Sequence, residues 1–276
     1  MVKLIIHTSD IHIRNASRFE EYAEQLTKFV NKCQELASPY EKDEVRIVIC
    51  GDLVHQKNTI TNELITFSSV FIRQLENIAK VIVISGNHDL VLSNTSKKDT
   101  LTAIFETAAF ENAFFLDYEL EYNSGYIVDD NITWALYSIY NDFKKPNIED
   151  AKEKYPDNNI IGLYHGMILG AKLDNGDIVD NEGTDGDVFN GCDFVIAGDI
   201  HKRQVLKRGD VDIVYSGSLI QQTFGETVTQ HGFVVWDLEK KTHEFIDLES
   251  NYGLYNFEIK KIEDIDNDEE ILINYQ

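Results

Sequence analysis

Residues 81–89 read Val-Ile-Val-Ile-Ser-Gly86-Asn87-His88-Asp89. A short run of β-branched side chains has the length and composition of a buried strand, and it stops abruptly at glycine. An amide, an imidazole and a carboxylate then follow in succession, each able to bind a cation or move a proton. The same grammar recurs four times. Val2–His7 precedes Asp10-Ile-His12, and Val45–Cys50 precedes Gly51-Asp52-Leu-Val-His55. Ile160–Tyr164 precedes His165-Gly166, and Phe194–Ala197 precedes Gly198-Asp199-Ile-His201. Taken alone, any of these also reads as a polar turn. Open α/β sheets place their ligands beyond the carboxyl ends of the strands, so five such motifs together predict one shared site.

Helical patterns separate the early strands. Ser17-Arg-Phe-Glu20 reads as a capping box opening a helix to about Ala37. Thr59 or Thr61 caps a second helix ending near Ala79, and Asp99 or Thr100 opens a third. Alternation of strand and helix predicts βαβ units and a largely parallel sheet. The second half differs: Ile132–Ile139 reads as a buried strand, while Val205–Lys207, Val211–Tyr215, Gly232–Leu238 and His243–Leu248 alternate like antiparallel strands. The residues thus predict an α/β protein with a second, mostly antiparallel sheet. Leu173–Gly186, rich in Gly, Asp and Asn, reads as a mobile loop. Of the remaining histidines, His7 reads as a satisfied core residue, His231 as structural and His243 as part of a solvated face.

The chain has 276 residues, 43% hydrophobic and 26% charged, which excludes bulk disorder and allows one large domain or two modest ones. No apolar run approaches the roughly 20 residues of a membrane helix, so no membrane partner is expected. Cys33, Cys50 and Cys192 are too few and too scattered for a disulfide framework, which predicts core thiols in a reducing compartment. With no signal-peptide pattern at MVKLIIHTSD, the expected location is cytoplasmic: nucleoid-associated, or the host cytoplasm for a viral chain. Twenty-five Lys and Arg against 48 Asp and Glu give a net charge of −23. That lacks the basic footprint of a stand-alone nucleic-acid binder. Lys97-Lys98, Lys202-Arg203 and Lys207-Arg208 are the candidate phosphate contacts, and ordinary surface charge is their equal alternative.

The donors in the five motifs are carboxylate, amide and imidazole, with no thiolate, a set suited to Mn²⁺, Mg²⁺, Fe²⁺ or Zn²⁺. They exceed what one ion needs, so two ions about 3.5–4 Å apart are the natural alternative. In this order the motifs resemble the signature of the calcineurin-like metallophosphoesterases. Tyr215-Ser-Gly217-Ser218-Leu-Ile-Gln-Gln-Thr-Phe224-Gly225-Glu226, followed by His231-Gly-Phe, is similar to a segment of the Mre11/SbcD nucleases of double-strand-break repair.

That resemblance implies a two-sheet α/β β-sandwich flanked by helices over residues 1–250, with 251–276 an acidic segment read as the start of a truncated cap domain. It implies that Asp10, His12 and His201 hold one metal, that Asn87, His165 and Asp199 hold the other, and that Asp52 bridges both. His88 would be the catalytic histidine at the leaving oxygen, Asp89 would orient its ring, and His55 would touch the substrate backbone. One position departs from the pattern. Asp199 stands where the family has histidine, which adds a negative charge and predicts a preference for Mn²⁺ or Mg²⁺ over Zn²⁺. The implied function is a Mn²⁺-dependent DNA nuclease, exonucleolytic 3′ to 5′ on duplex ends and endonucleolytic on single strands. It would serve DNA repair, recombination or replication beside a Rad50/SbcC-like ATPase, with a homodimer as an additional expectation. The net charge favours an alternative, a phosphodiesterase acting on small molecules or RNA, and a third reading is a non-catalytic binding or assembly subunit that retained the fold.

Overall fold

A computed structural model describes residues 1–14, 18–57, 60–91 and 97–255. Its strands β1 (Leu4–Thr8), β2 (Val45–Cys50) and β3 (Lys80–Ile84) are separated by helices α1 (Phe19–Ala37) and α2 (Asn62–Ile78). Helix α3 (Thr100–Ala108), strand β4 (Ala113–Phe115), the short helix α4 (Leu116–Glu119) and strands β5 (Gly125–Asp129) and β6 (Ile132–Tyr137) follow. Then come α5 (Ile148–Lys154), β7 (Asn159–His165), β8 (Phe194–Gly198), β9 (Gln204–Arg208), β10 (Val211–Tyr215), β11 (Gly232–Asp237) and β12 (Thr242–Asp247). Among the described residues no helix is long and apolar enough to cross a membrane.

Two six-stranded sheets result, ordered β12-β11-β1-β2-β3-β4 and β5-β6-β7-β8-β10-β9. Three apolar layers hold them. One lies between the first sheet and helices α1 to α3, and one, built on Ile5, Val48, Trp134, Leu163 and Ile196, lies between the sheets. The third covers the outer face of the second sheet. This is the expected two-sheet sandwich flanked by helices. The second sheet corrects its sequence reading: β6, β7, β8 and β10 run parallel, and only its edge pairs β5–β6 and β10–β9 are antiparallel. The β11–β12 hairpin instead pairs antiparallel with β1 in the first sheet. Alternating burial marks a half-covered strand but does not say which sheet it joins.

The local rules explain the helices. In α1, Tyr22, Leu26, Phe29, Cys33 and Ala37 are buried at spacings of three and four, the stripe that a 3.6-residue period aligns. The α1 N-cap is Arg18 in the left-handed region with no capping side chain, and Ser17 lies outside the described residues. Thr61 caps α2 by accepting the Leu64 amide at 3.2 Å, and Asp99 caps α3 by accepting that of Thr102 at 2.7 Å. Between the sheets, Arg46 on β2 forms a bidentate pair with Asp129 on β5 at 2.7 and 2.9 Å. Lys80 also reaches Asp129, at 2.6 Å. All three cysteines are free and buried. Tail residues 256–276 lie outside the described residues.

Candidate metal centre

The parallel arrangement brings the carboxyl ends of β1, β2, β3, β7 and β8 to one edge of the sandwich. Cys50, closing β2, donates its thiol towards the carbonyls of Tyr164 at 3.3 Å and Ile196 at 3.4 Å. His165 donates Nδ1–H to the Cys50 carbonyl at 2.7 Å. With Nδ1 so used, the His165 Nε2 lone pair points inward; it is buried and has no hydrogen-bond partner. The turns there are tight. A Cβ on Gly51 would sit 2.1 Å from His165 Nδ1, and one on Gly86 2.1 Å from Asp52 Oδ1. Only glycine permits that approach.

All seven predicted metal ligands converge. Ligand atoms of Asp10, His12 and His201 lie within 4.8 Å of one another, as do those of Asp10, Asp52 and His165. The Nε2 atoms of His12 and His201 face each other at 3.1 Å. Asp52 stands between the groups, with Oδ2 3.5 Å from His12 Nε2 and Oδ1 3.5 Å from His165 Nε2. Asp199 accepts from Asn87 Nδ2 at 2.8 Å and lies 3.8 Å from His165 Nε2. The Asn87 Oδ1 is buried without a partner. Unpaired buried polar atoms are uncommon and costly, and here two of them belong to residues that line one carboxylate-rich space. That donor set fits two divalent cations. Backbone strain gathers at the same place: Asp10, His12, Asp52 and Asp199 have φ of 52°, 53°, 53° and 93°. Non-glycine residues hold such angles only where the surroundings impose them, typically at functional sites.

The electrostatics reflect the crowding of charge. Burial pushes the Asp10 carboxyl up to about 6. Burial also acts against a charged Asp52, but His165 and His12 beside it outweigh that and hold it low. His165 is burdened by burial yet raised well above its ordinary value by Asp52, Asp10 and Asp199. Burial and the neighbouring Arg14 hold His55 down at about 4.

The three predicted catalytic residues are also here, with one correction. His88 donates Nδ1–H to the backbone carbonyl of His55 at 2.9 Å, and the two rings stack at 5.0 Å. Asp89 does not orient the His88 ring. Its carboxylate accepts the backbone amides of Asp52 at 2.8 Å, Val54 at 3.1 Å and Gly86 at 2.8 Å, so it ties two turns of the site together. Adjacency in sequence suggested a pair, but Asp89 is fully buried, where unpaired amides make the stronger claim.

Sequence reasoning gave Glu226 no role. Its Oε1 accepts from His201 Nδ1 at 2.9 Å, while Ser218 and the amides of Gln222 and Thr223 also donate to it. A carboxylate on Nδ1 fixes the tautomer and aims Nε2 at the centre. Against the cost of burial, Glu226 and Asp10 raise His201 to about 9. The signal was present in the Phe224-Gly225-Glu226 segment, but sequence spacing alone did not connect it to His201. Asp174, from the Leu173–Gly186 loop, also reaches His201 and Glu226. Three of the six candidate basic residues are in ion pairs. Arg203 pairs with Asp247, Lys207 with Asp212 and Lys98 with Glu106. His231 is structural, hydrogen-bonded to Ser218 at 3.0 Å and to the Thr227 carbonyl at 2.6 Å. His7 is buried but unsatisfied, since neither ring nitrogen makes a well-formed hydrogen bond.

The sequence pattern of the calcineurin-like phosphoesterases matches residues 3–218 of this chain. An uncharacterized protein of Acanthamoeba polyphaga mimivirus is 37% identical over 258 residues, covering 91% of this chain and 18% of its own length. The chain therefore spans about a fifth of that relative. A protein of Invertebrate iridescent virus 6, placed among phosphoesterases by its name, is 29% identical over 248 residues, covering 88% of this chain and 77% of its own. Among solved structures, GAP50, the anchor in the inner membrane complex of Plasmodium, superposes with a TM-score of 0.53 at 10% identity, over 99% of this chain and 95% of that one. That is a likeness of fold alone.

Proposed function

The chain belongs to the calcineurin-like phosphoesterase family, whose members hydrolyse phosphoesters with two divalent metal ions, and on that premise we propose that it is a Mn²⁺-dependent nuclease cleaving DNA phosphodiesters. Asp10, His12 and His201 would hold one ion, Asn87, His165 and Asp199 the other, and Asp52 both. When bound, two such cations neutralise phosphate charge and lower the pKa of water. The side chains supply the rest. The His55 carbonyl engages His88 Nδ1–H, leaving Nε2 to deliver a proton to the departing oxygen. Glu226 keeps His201 in one tautomer, and Asp89 fixes the loops that carry Asp52 and Gly86. Asp199 supplies oxygen where the family has imidazole, in keeping with a hard ion such as Mn²⁺ or Mg²⁺.

The observation that carries the DNA assignment is Glu226. The segment that resembles the Mre11/SbcD nucleases closes directly on the site through the Glu226–His201 pair. A Rad50/SbcC-like ATPase partner belongs to the same proposal, since it would supply the basic surface that a chain of charge −23 lacks. That charge also favours a second reading, hydrolysis of small phosphodiesters or RNA. The loop bearing Asp174 strengthens it, with Asp177, Asp180, Glu182 and Asp185 following and no Lys or Arg among residues 174–186. End-labelled duplex and single-stranded DNA, incubated with Mn²⁺ beside His88→Ala and EDTA controls, separates the two. Cleavage lost in both controls supports the nuclease. Turnover of bis-p-nitrophenyl phosphate with inert DNA supports the second reading.

A further inference from the structure

Arg14 lies two residues beyond His12 and has no place in the seven-ligand set. Ile13 forms a parallel bridge with Val54, and both are buried in the core beneath the helices. His12 itself leaves the extended region, with φ of 53°, and its ring joins those of His55 and His88 at the metal centre; the His55 amide donates to the Ile13 carbonyl at 3.0 Å, which sets Arg14 beside His55. The rings of His12 and His55 meet there, with Nδ1 atoms 3.4 Å apart. The Arg14 charge is felt at His55, where it disfavours protonation.

The guanidinium is held but not neutralised. Arg14 Nη2 donates to Gln222 Oε1 at 3.1 Å. Gln222 is fixed in that orientation, because its Nε2 donates to the carbonyls of Ile11 at 3.2 Å and Ile220 at 3.0 Å. The Tyr22 hydroxyl, which donates to the His12 carbonyl at 2.6 Å, lies 3.3 Å from the same Oε1. Arg14 Nε is buried with no acceptor, and among the described residues no carboxylate pairs with the side chain. A half-buried cation with an unused donor and only neutral groups for company, the Gln222 amide and the Tyr22 hydroxyl, calls for an anion. Arg18, four residues on, shows the contrast: it is clamped by Glu21 at 2.6 Å through two nitrogens.

We propose that Arg14 is a substrate-binding residue whose guanidinium grips the non-bridging oxygens of the scissile phosphate on the His55–His88 side of the metal centre. Planar donors in a fixed fork suit phosphate. The proposal rests on the phosphoesterase reading, and its test separates the two.

Arg14→Ala and Arg14→Lys are compared with the parent in Mn²⁺, using bis-p-nitrophenyl phosphate for turnover and inorganic phosphate as a ligand in calorimetry. The expected result for Arg14→Ala is a rise of about 10- to 100-fold in KM and in the phosphate dissociation constant. Mn²⁺ stoichiometry should be unchanged and kcat should move less. Arg14→Lys should fall between, since it keeps charge but loses the fork. An active parent whose variants match its KM and phosphate affinity overturns the Arg14 assignment and leaves the phosphoesterase reading standing. A parent that turns over no diester, yet loses phosphate affinity on Arg14→Ala, supports the assignment while the activity reading falls.

Discussion

His7 puts a poorly compensated imidazole in β1, three residues before Asp10. It is fully buried, neither nitrogen makes a well-formed hydrogen bond, and burial pushes it from 6.5 down to about 3, the Ala197 backbone nearby offsetting only part of that. A group held below its ordinary value takes up its proton later when folded than when unfolded. Its contribution is therefore fully present above about pH 6.5 and is lost as the pH falls towards 3. Each pH unit in that window costs about 1.4 kcal/mol. At pH 5 the window has been entered by about one and a half units, so His7 destabilises the fold by about 2 kcal/mol relative to pH 7.5. His7→Leu removes the titration at similar volume. Urea unfolding of both proteins at pH 7.5, 6 and 5, in EDTA, gives the difference directly, because other titrating groups such as His165 and His201 cancel between them. The parent should lose about 2 kcal/mol more than the variant from pH 7.5 to 5. Parallel losses would refute the claim that His7 is buried and poorly compensated.

Other expectations follow from single contacts. Gly51→Ala places a methyl 2.1 Å from His165 Nδ1 at a φ of +85°, so Mn²⁺ affinity measured by calorimetry should fall more than about tenfold while far-ultraviolet circular dichroism stays close to the parent's. Asp89→Asn leaves one oxygen for three backbone amides and should lower unfolding stability by about 1–3 kcal/mol; an unchanged urea midpoint contradicts its role as a tie. Because His201 keeps its proton up to about 9 beside Glu226, and a metal must displace that proton, Mn²⁺ affinity should climb as the pH rises towards 9. In Glu226→Gln the climb should come at lower pH, and superimposable profiles count against the pair.

Much of the site was legible because its parts are local. Gly51-Asp52, Gly86-Asn87-His88 and Gly198-Asp199-Ile200-His201 each follow a buried strand, and strands that run parallel deliver their ends to one edge. What was missed depends on long-range choice. Glu226 meets His201 across 25 residues, and Arg46 meets Asp129 across 83, which no period or spacing announces. Asp89 misled because neighbours in sequence at a tight turn point apart. The hairpin β11–β12 carried the right pattern, but its place beside β1 rather than β10 is decided by packing between the sheets.

The central claim is that these seven side chains hold two cations that make the chain a phosphoesterase. Metal-free protein titrated with Mn²⁺ by calorimetry, with bis-p-nitrophenyl phosphate hydrolysis followed in parallel, tests it most directly. Two ions per chain are expected, with activity that grows with occupancy and vanishes in EDTA, and with loss of both in Asp52→Asn, which removes the shared carboxylate. Hydrolysis that survives EDTA, or an Asp52→Asn protein that still binds two ions and works at the parent's rate, would contradict it.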